Sequence, residues 1–475
     1  MIHIVGGGLA GCEAAWQAAE RGVDVVVHEM RPVVKTAVHQ TDGLAELVCS
    51  NSFRGDKLDN AVGLLKEEMR RMGSLVMRAA DQARVPAGAA LAVDRHVFSA
   101  RVTEAVQAHP RITVLREEVD HVPAQASGWS PVIIATGPLT SESLSADIQR
   151  LVGGEHLSFY DAISPIVLAE SIDMTKVFRA SRWDRNVWRP PVPDQDSGIG
   201  GDGASGTEPP QFVPPVLTEP EGDYLNCPFT KSEYDAFYDA LAAAESATVH
   251  DFDKANFFEG CLPIEVMAHR GRDTLRFGPM KPVGLTDPRT GRFPYAAVQL
   301  RQDNIAGDHF SLVGFQTQIR WADQARVLRM VPGLEQAEFV RFGMVHRNTY
   351  ICGPKVLTPT WQARMRPDLF FAGQVSGVEG YVESAASGLL AGINAAALAK
   401  GEPTRSLPRT TAMGALAYYV SHADPAHYQP TNITHGIMEP LPNPPRDKAR
   451  KKALVAERAL SALQDWLGHG AVSVG

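Results

Sequence analysis

The 475-residue chain carries 46 Lys and Arg against 54 Asp and Glu, a net charge of −8, with 44% hydrophobic and 21% charged residues. These proportions exclude collagen-like, coiled-coil and wholly disordered chains, and the acidic balance excludes a protein that coats nucleic acid by charge alone. At ordinary domain sizes the length implies about three units and a large buried core.

Ile2-His3-Ile4-Val5 reads as a buried strand, followed by Gly6, Gly8 and Gly11 in G-x-G-x-x-G and an Ala-rich helix to about Arg21. A second apolar run, Val23 to Val27, ends at Glu29, 18 positions after the last glycine. In that strand–turn–helix setting, Gly6, Gly7, Gly8, Leu9, Ala10 and Gly11 bring backbone N–H groups to a pyrophosphate, and Glu29 accepts from ribose hydroxyls. The competing reading is an ordinary strand-turn-helix. The opening lacks a charged n-region and an apolar h-region, so a cleaved secretory signal is not expected. With no run of 18 or more apolar residues, no membrane span is expected either.

GLAELVCSNSFRGD places Cys49 beside Ser50, Asn51, Ser52 and Arg54, donors and a cation that favour a thiolate; a small core hydrophobe is the alternative. Val132 to Ile134, then Ala135-Thr136-Gly137, reads as a strand passing close under a dinucleotide. Residues 190–220 hold eight prolines and five glycines and read as a mobile loop. Their Gly201-x-Gly203-x-x-Gly206 lacks a flanking strand and helix and is a decoy.

Cys227, in YLNCPFTKSEY, reads as structural. Cys261, in ANFFEGCLPIEVMAHRGRDTLRFGPMKP, precedes a basic stretch in which Val266 to Arg301 holds seven Lys or Arg against two Asp. Interleaved with Phe277, Phe293 and Tyr295, that stretch suits phosphates and stacked bases or a polyanionic cofactor, with Arg270, Arg272, Arg276 and Lys281 as candidate RNA contacts; a solvated charged face is the bland reading. Cys12 and Cys352 have no activating neighbour. Five cysteines without C-x-x-C spacing fit a reduced compartment and no metal site.

Asp368 to Ala397, DLFFAGQVSGVEGYVESAASGLLAGINAA, resembles the flavin-contacting strand and helix of large flavoproteins, with Gly373-Gln374 beside the cofactor. Sites so far apart imply an α/β, Rossmann-like FAD-binding domain that is discontinuous, at 1–178 and 325–475, with a smaller α+β domain inserted at 179–324. Arg446 to Arg458 reads as a basic surface helix, in which Arg450, Lys451 and Lys452 are further RNA candidates.

GGGLAGCEAAW, LVCSNSFRGD, ATGPLTSESL, FFEGCLPIEVMA, FGPMKPVGL, VQLRQDN, VGFQTQ, HRNTY and the Asp368–Ala397 stretch together resemble the bacterial folate- and FAD-dependent tRNA (uracil-5-)-methyltransferases, from about residue 2 to about 440. GGGLAGCEAA and LFFAGQ-x-x-G-x-x-GY-x-E are shared with flavoproteins that modify the tRNA wobble uridine, whereas LVCSNS and FFEGCLPIEVMA discriminate. The departure is 190–220, where the family has a shorter connection. The resemblance implies methylation of the T-loop uridine at tRNA position 54 to 5-methyluridine, with methylenetetrahydrofolate as carbon donor, reduced FAD as methylene carrier and reductant, and NAD(P)H as co-substrate. It also implies a cytoplasmic protein with tRNA and folate as partners, no membrane and no stable protein partner.

Carbon 5 of uracil is a poor nucleophile until a thiolate adds to carbon 6. By resemblance Cys261 supplies that thiolate and Cys49 is the base for the carbon-5 proton or a reserve partner, with swapped roles left open. Tyr381 matches a tyrosine near the flavin ring, and Arg, Lys or His between 269 and 281 are candidates for the folate glutamate tail. Three alternatives compete. A wobble-uridine enzyme usually continues into a long helical C-terminal domain, and this chain ends about 80 residues after its flavin helix. A disulfide oxidoreductase needs two closely spaced cysteines and a second Gly-rich fold, neither of which is visible. A flavin-binding adaptor would hold the cofactor without turnover.

Overall fold

The structure, a computed structural model, describes residues 1–36, 38–153, 157–184, 222–245 and 262–468. The 190–220 loop, its glycine decoy and Cys261 lie outside the described residues. The first layer is a six-stranded sheet in the order Gln362–Ala363, Arg366–Phe371, Val132–Ile134, Ile2–Val5, Val25–Glu29 and Ile112–Arg116. All neighbours but the first pair run parallel, and Ile4 lies in register between Val27 and Ile133. The central strands Ile2–Val5, Val25–Glu29 and Val132–Ile134 are buried on both faces, as a parallel sheet with covering helices requires, whereas the edge strand Ile112–Arg116 is partly exposed.

The Leu9–Glu20 and Tyr381–Ala399 helices pack together through small residues. A Cβ added at Gly388 would lie 2.1 Å from the Ala10 carbonyl oxygen, and one at Gly392 would lie 2.4 Å from that of Ala14, so only glycine permits this approach. The 381–399 helix has the length and apolarity of a bilayer span, yet 83% of that stretch is buried inside the protein. Its composition therefore reflects a crowded helix pair.

The second layer is an antiparallel sheet in the order Phe178–Arg179, Tyr224–Phe229, Ala296–Gln302, His309–Leu312, Ile166–Leu168 and Phe339–Arg341. Leu225, Phe229, Val298, Leu300, Phe310 and Leu312 meet Tyr234, Phe237 and Leu241 of the Lys231–Ala242 helix in a separate core. A reciprocal cap starts that helix: Thr230 N–H donates to Glu233 Oε2 at 2.8 Å, and the Thr230 hydroxyl accepts from Glu233 N–H.

The expected limits of the inserted domain, 179 and 324, are too narrow. Ile166–Leu168 pairs with His309–Leu312 and with Phe339–Arg341, and Val167, Ile172, Val177, Val327, Leu334 and Ala337 belong to the second core. Three-residue strands carry too little periodicity to be assigned from sequence.

Candidate active site

The Ile2–Val5 strand ends in a turn whose glycines do different work. Gly6 has φ +106, and a Cβ there would sit 2.5 Å from the Ala135 carbonyl oxygen. Gly11 lets the helix close onto the turn, since its Cβ would lie 1.9 Å from the Gly6 carbonyl oxygen. A Cβ at Gly8 would meet no protein atom within 4 Å. Gly8 also caps the Leu9–Glu20 helix without a side-chain hydrogen bond, so the first-turn N–H groups face the open cleft.

That cleft is lined by Gly6, Gly7, Gly8, Leu9 and Ala10, by Glu29, by Thr136 and Gly137, and by Gly373, Gln374 and Tyr381. It thus gathers every expected cofactor residue except Gly11, which lies in the helix behind it. A glycine turn, an uncapped helix N-terminus and an acidic residue at the end of the second strand fit FAD: the turn and helix would hold the pyrophosphate, Glu29 a ribose.

Glu29 is itself fixed. Its Oε2 accepts from Gly7 N–H at 2.8 Å, and its Oε1 accepts from Arg31 N–H and Nε at 3.0 and 2.9 Å. Burial alone would push this carboxyl up, but the Arg31 guanidinium and N–H groups outweigh it and hold Glu29 below the usual carboxylate range. Sequence reading misses Arg31, and also His28, Glu117 and Glu118, which line the same end of the cleft. Only their position just after or beside an apolar strand could have marked them.

At the opposite end Tyr381 begins its helix and accepts hydrogen bonds from Cys49 N–H at 2.8 Å and Ser50 N–H at 3.1 Å. Burial, reinforced by the neighbouring Cys49 thiol, pushes the phenol up, so Tyr381 keeps its own proton. Every neighbour of Cys49 is held. Arg95 Nη1 donates to Leu47 O at 3.1 Å, Arg341 donates to Val48 O, and Arg301 donates to Ser50 Oγ at 3.0 Å and Asn51 Oδ1 at 2.9 Å. Arg95 is anchored in turn by two hydrogen bonds to Asp303, at 2.8 and 3.0 Å, which tie the first layer to the second.

Two sequence expectations change here. Arg54 is the cation expected at Cys49, but its left-handed backbone (φ +61) turns the side chain to Glu383 on the 381–399 helix. Arg301, counted with the basic stretch, is buried at the Cys49 loop. Cys227 lies fully buried in the second core, and Cys12 is buried with its thiol donating to Gly7 O at 3.3 Å; burial raises both thiols well above the ordinary range.

Of the remaining RNA candidates, Arg270 and Arg272 line a shallow groove with Leu262, Thr274 and Phe277. Arg272 lies 4.4 Å over the Tyr238 ring and pairs with Asp235 and Asp239, while Arg276 stacks 3.8 Å over Tyr295. Lys281 is exposed, as are Phe277 and Phe293 at 80% and 54%. Arg450, Lys451 and Lys452 are exposed at the start of the Lys448–Gly468 helix, whose Val455, Ala456, Ala459 and Leu463 reach the first core.

A parallel Rossmann-like layer with its cleft at the glycine turn, joined to an antiparallel layer, defines a dinucleotide-binding protein of the flavoprotein class. Residues 1–190 and 214–403 match the profile of the glucose inhibited division protein A family, which leaves out 191–213. The methylenetetrahydrofolate--tRNA-(uracil-5-)-methyltransferase TrmFO of Anoxybacillus flavithermus is 53% identical over 466 residues, 98% of this chain and 99% of its own. That of Symbiobacterium thermophilum is 54% identical over 472 residues, covering 98% and 97%. The chain belongs to the glucose inhibited division protein A family and, within it, to the methylenetetrahydrofolate--tRNA-(uracil-5-)-methyltransferases. The crystal structure of Aquifex aeolicus GidA shares the fold, with a TM-score of 0.65 at 18% identity over 98% of this chain and 76% of that one.

Proposed function

We infer that this protein is the folate-dependent enzyme that methylates carbon 5 of a uridine in tRNA, with FAD in the 6–11 cleft and methylenetetrahydrofolate as carbon donor. The observation that carries the reading is the pair of hydrogen bonds from Cys49 and Ser50 to Tyr381, which bolt a cysteine loop to the cofactor cleft. Bound FAD supplies methylene carriage and hydride, with NAD(P)H as its reductant.

The chain's own residues do the rest. Attack on carbon 6 by a thiolate gives an enolate with nucleophilic carbon 5, and we assign that attack to Cys261. After carbon 5 has gained its new substituent, its proton must leave, and we assign its removal to the Cys49 sulfur. Tyr381 holds the Cys49 backbone against the flavin end of the cleft. The target uridine is in the T arm, at position 54, and the protein works in the cytoplasm without a stable protein partner. Arg270, Arg272, Arg276 and Lys281, with Arg450, Lys451 and Lys452, supply the phosphate contacts; exposed Phe277 and Phe293 flank the stacked Arg276 and Tyr295 as surfaces for unpaired bases.

The test is formation of 5-methyluridine in unmodified tRNA by purified protein given methylenetetrahydrofolate and NADH or NADPH. Methylated uridine at position 54 is expected. An FAD-loaded protein that leaves it unmethylated, or modifies the wobble uridine, contradicts the reading.

A further inference from the structure

Cys49 lies in a loop whose flanking residues are all held by charged side chains from other segments. Leu47 O is bound by Arg95, Val48 O by Arg341, and Ser50 Oγ with Asn51 Oδ1 by Arg301. Asn51 extends the clamp, its Nδ2 donating to Val93 O and Gln302 O at 3.0 Å each. Arg301 and Arg341 come from the second sheet and Arg95 from the first turn of the Arg95–Ala108 helix. A loop that needed only to be held could use backbone pairing or neutral amides, which avoid the desolvation of three guanidinium groups. Among the described residues, Arg95 alone of the three has a carboxylate as a hydrogen-bond partner, Asp303; Arg301 and Arg341 donate to neutral oxygens.

We propose that Arg301 and Arg341, with Arg95 behind them, are positioning residues that fix the Cys49 loop and hold its sulfur as a thiolate at neutral pH. The inference rests on the reading of Cys49 as a reacting thiol. A base that accepts the carbon-5 proton must arrive deprotonated, and an isolated cysteine titrates near about 8.5, too high for that. Two nearby cations that donate to neutral oxygens favour the charged form of a neighbouring acid. The coupling is reciprocal: burial works against the charge on Arg301 and Arg341, and Cys49 is among the groups that work to restore it. The other titratable groups facing these arginines are Tyr381, which stays protonated, Tyr224 beside Arg301, and Asp303, which is hydrogen-bonded to Arg95 and also acts on Arg301 and Arg341. Because Arg301 and Arg341 belong to the second layer, docking of that layer onto the first arms the thiol.

The test is the pH dependence of iodoacetamide alkylation at Cys49, mapped by peptide mass in the FAD-bound full chain; buried Cys12 and Cys227 serve as unreactive controls. The wild-type midpoint is expected below about 8.5. Arg301→Gln should raise it by about one unit, slowing alkylation near neutral pH about tenfold while leaving the high-pH plateau unchanged. Arg301→Lys, which keeps the charge, should recover most of the midpoint, and Arg341→Gln should shift it upward as Arg301→Gln does. A loop that merely loosened would change the plateau and leave the midpoint in place. Unchanged midpoints in FAD-bound Arg301→Gln and Arg341→Gln overturn the proposal; if the first does not retain FAD, the second decides. The readout needs neither tRNA nor folate, so failure of wild-type methylation counts against the functional reading alone.

Discussion

The glycine turn of the cofactor cleft and the Cys49 loop that Tyr381 ties to that cleft are built by opposite means. At the glycine end, the protein presents backbone: an uncapped helix N-terminus, a turn crowded against Ala135, and open space beside Gly8. At the cysteine end, it presents long side chains, with Arg95, Arg301, Arg341 and Tyr381 each reaching the Cys49 loop from a distant segment. A backbone-built end depends on the absence of side chains at particular positions. A side-chain-built end depends on several remote residues arriving together, so removing chemistry there need not disturb binding of the cofactor.

Removing chemistry while leaving the glycine turn intact sharpens this contrast most. Cys261→Ala and Cys49→Ala should each lower methylation by at least about 10²–10⁴-fold while FAD absorbance is retained, whereas Cys227→Ala keeps most activity. Retained activity in Cys49→Ala would break the link between the loop and the reaction.

The glycine end makes a paired prediction. Gly8→Val adds atoms only into open cleft, so the protein should fold and purify without flavin; Gly11→Val drives atoms into the Gly6 carbonyl and should fail to fold stably. Equal thermal stability for the two variants, or full flavin absorbance in folded Gly8→Val, would show that the cleft is misassigned.

A smaller effect is expected on the basic surfaces, remote from both ends. Reversing the charge of Arg450, Lys451 and Lys452 should weaken tRNA binding and flatten its salt dependence, with the slope of log K against log salt falling by roughly 0.7–0.9 for each phosphate that is no longer neutralised. Flavin reduction by NAD(P)H should be unaffected. Salt-independent binding by the wild type would remove both surfaces from the interface.

The smallest effect lies at the outer edge of the glycine end, where His3 Nδ1 is 3.0 Å from His28 Nε2 and both rings stack on Trp129. Burial, aided by the charge of His28 and the N-terminus, pushes His3 down to about 4. The unfolded chain therefore binds the proton more readily between about pH 6.5 and about pH 4. Stability from this group is complete above that window and is lost as pH falls through it, on the order of 1 kcal/mol after solvent screening. Thermal melts should show that slope flattened in His3→Gln; an unchanged slope would assign it elsewhere.

What is legible in the sequence follows the same division. Gly6, Gly8, Gly11 and Glu29 announce the cleft because a single strand, turn and helix make it, and Gly373-Gln374 can be added because the strand and small-residue helix around them have a local pattern. Cys49 stands out through its polar neighbours, but Arg54, the neighbour expected to charge it, pairs with Glu383. The arginines that do surround it are 46, 252 and 292 positions away in sequence, and no local spacing reveals them. Arg301 even reads as surface charge, because a buried guanidinium and a solvated one look alike in a basic run. The second layer's limits escape for a related reason: Ile166–Leu168 and Phe339–Arg341 gain their identity only by pairing with His309–Leu312 or with each other.

The central claim, that a cysteine thiolate attacks uracil at the cofactor crevice, is tested most directly by giving the enzyme tRNA whose target base is 5-fluorouracil, together with methylenetetrahydrofolate and NAD(P)H. Fluorine cannot leave carbon 5 as a proton does, so a covalent enzyme–RNA adduct should accumulate and map by mass to Cys261. Attachment at Cys49 would exchange the two roles within the same mechanism; attachment at buried Cys227, or no adduct from FAD-loaded enzyme, would contradict it.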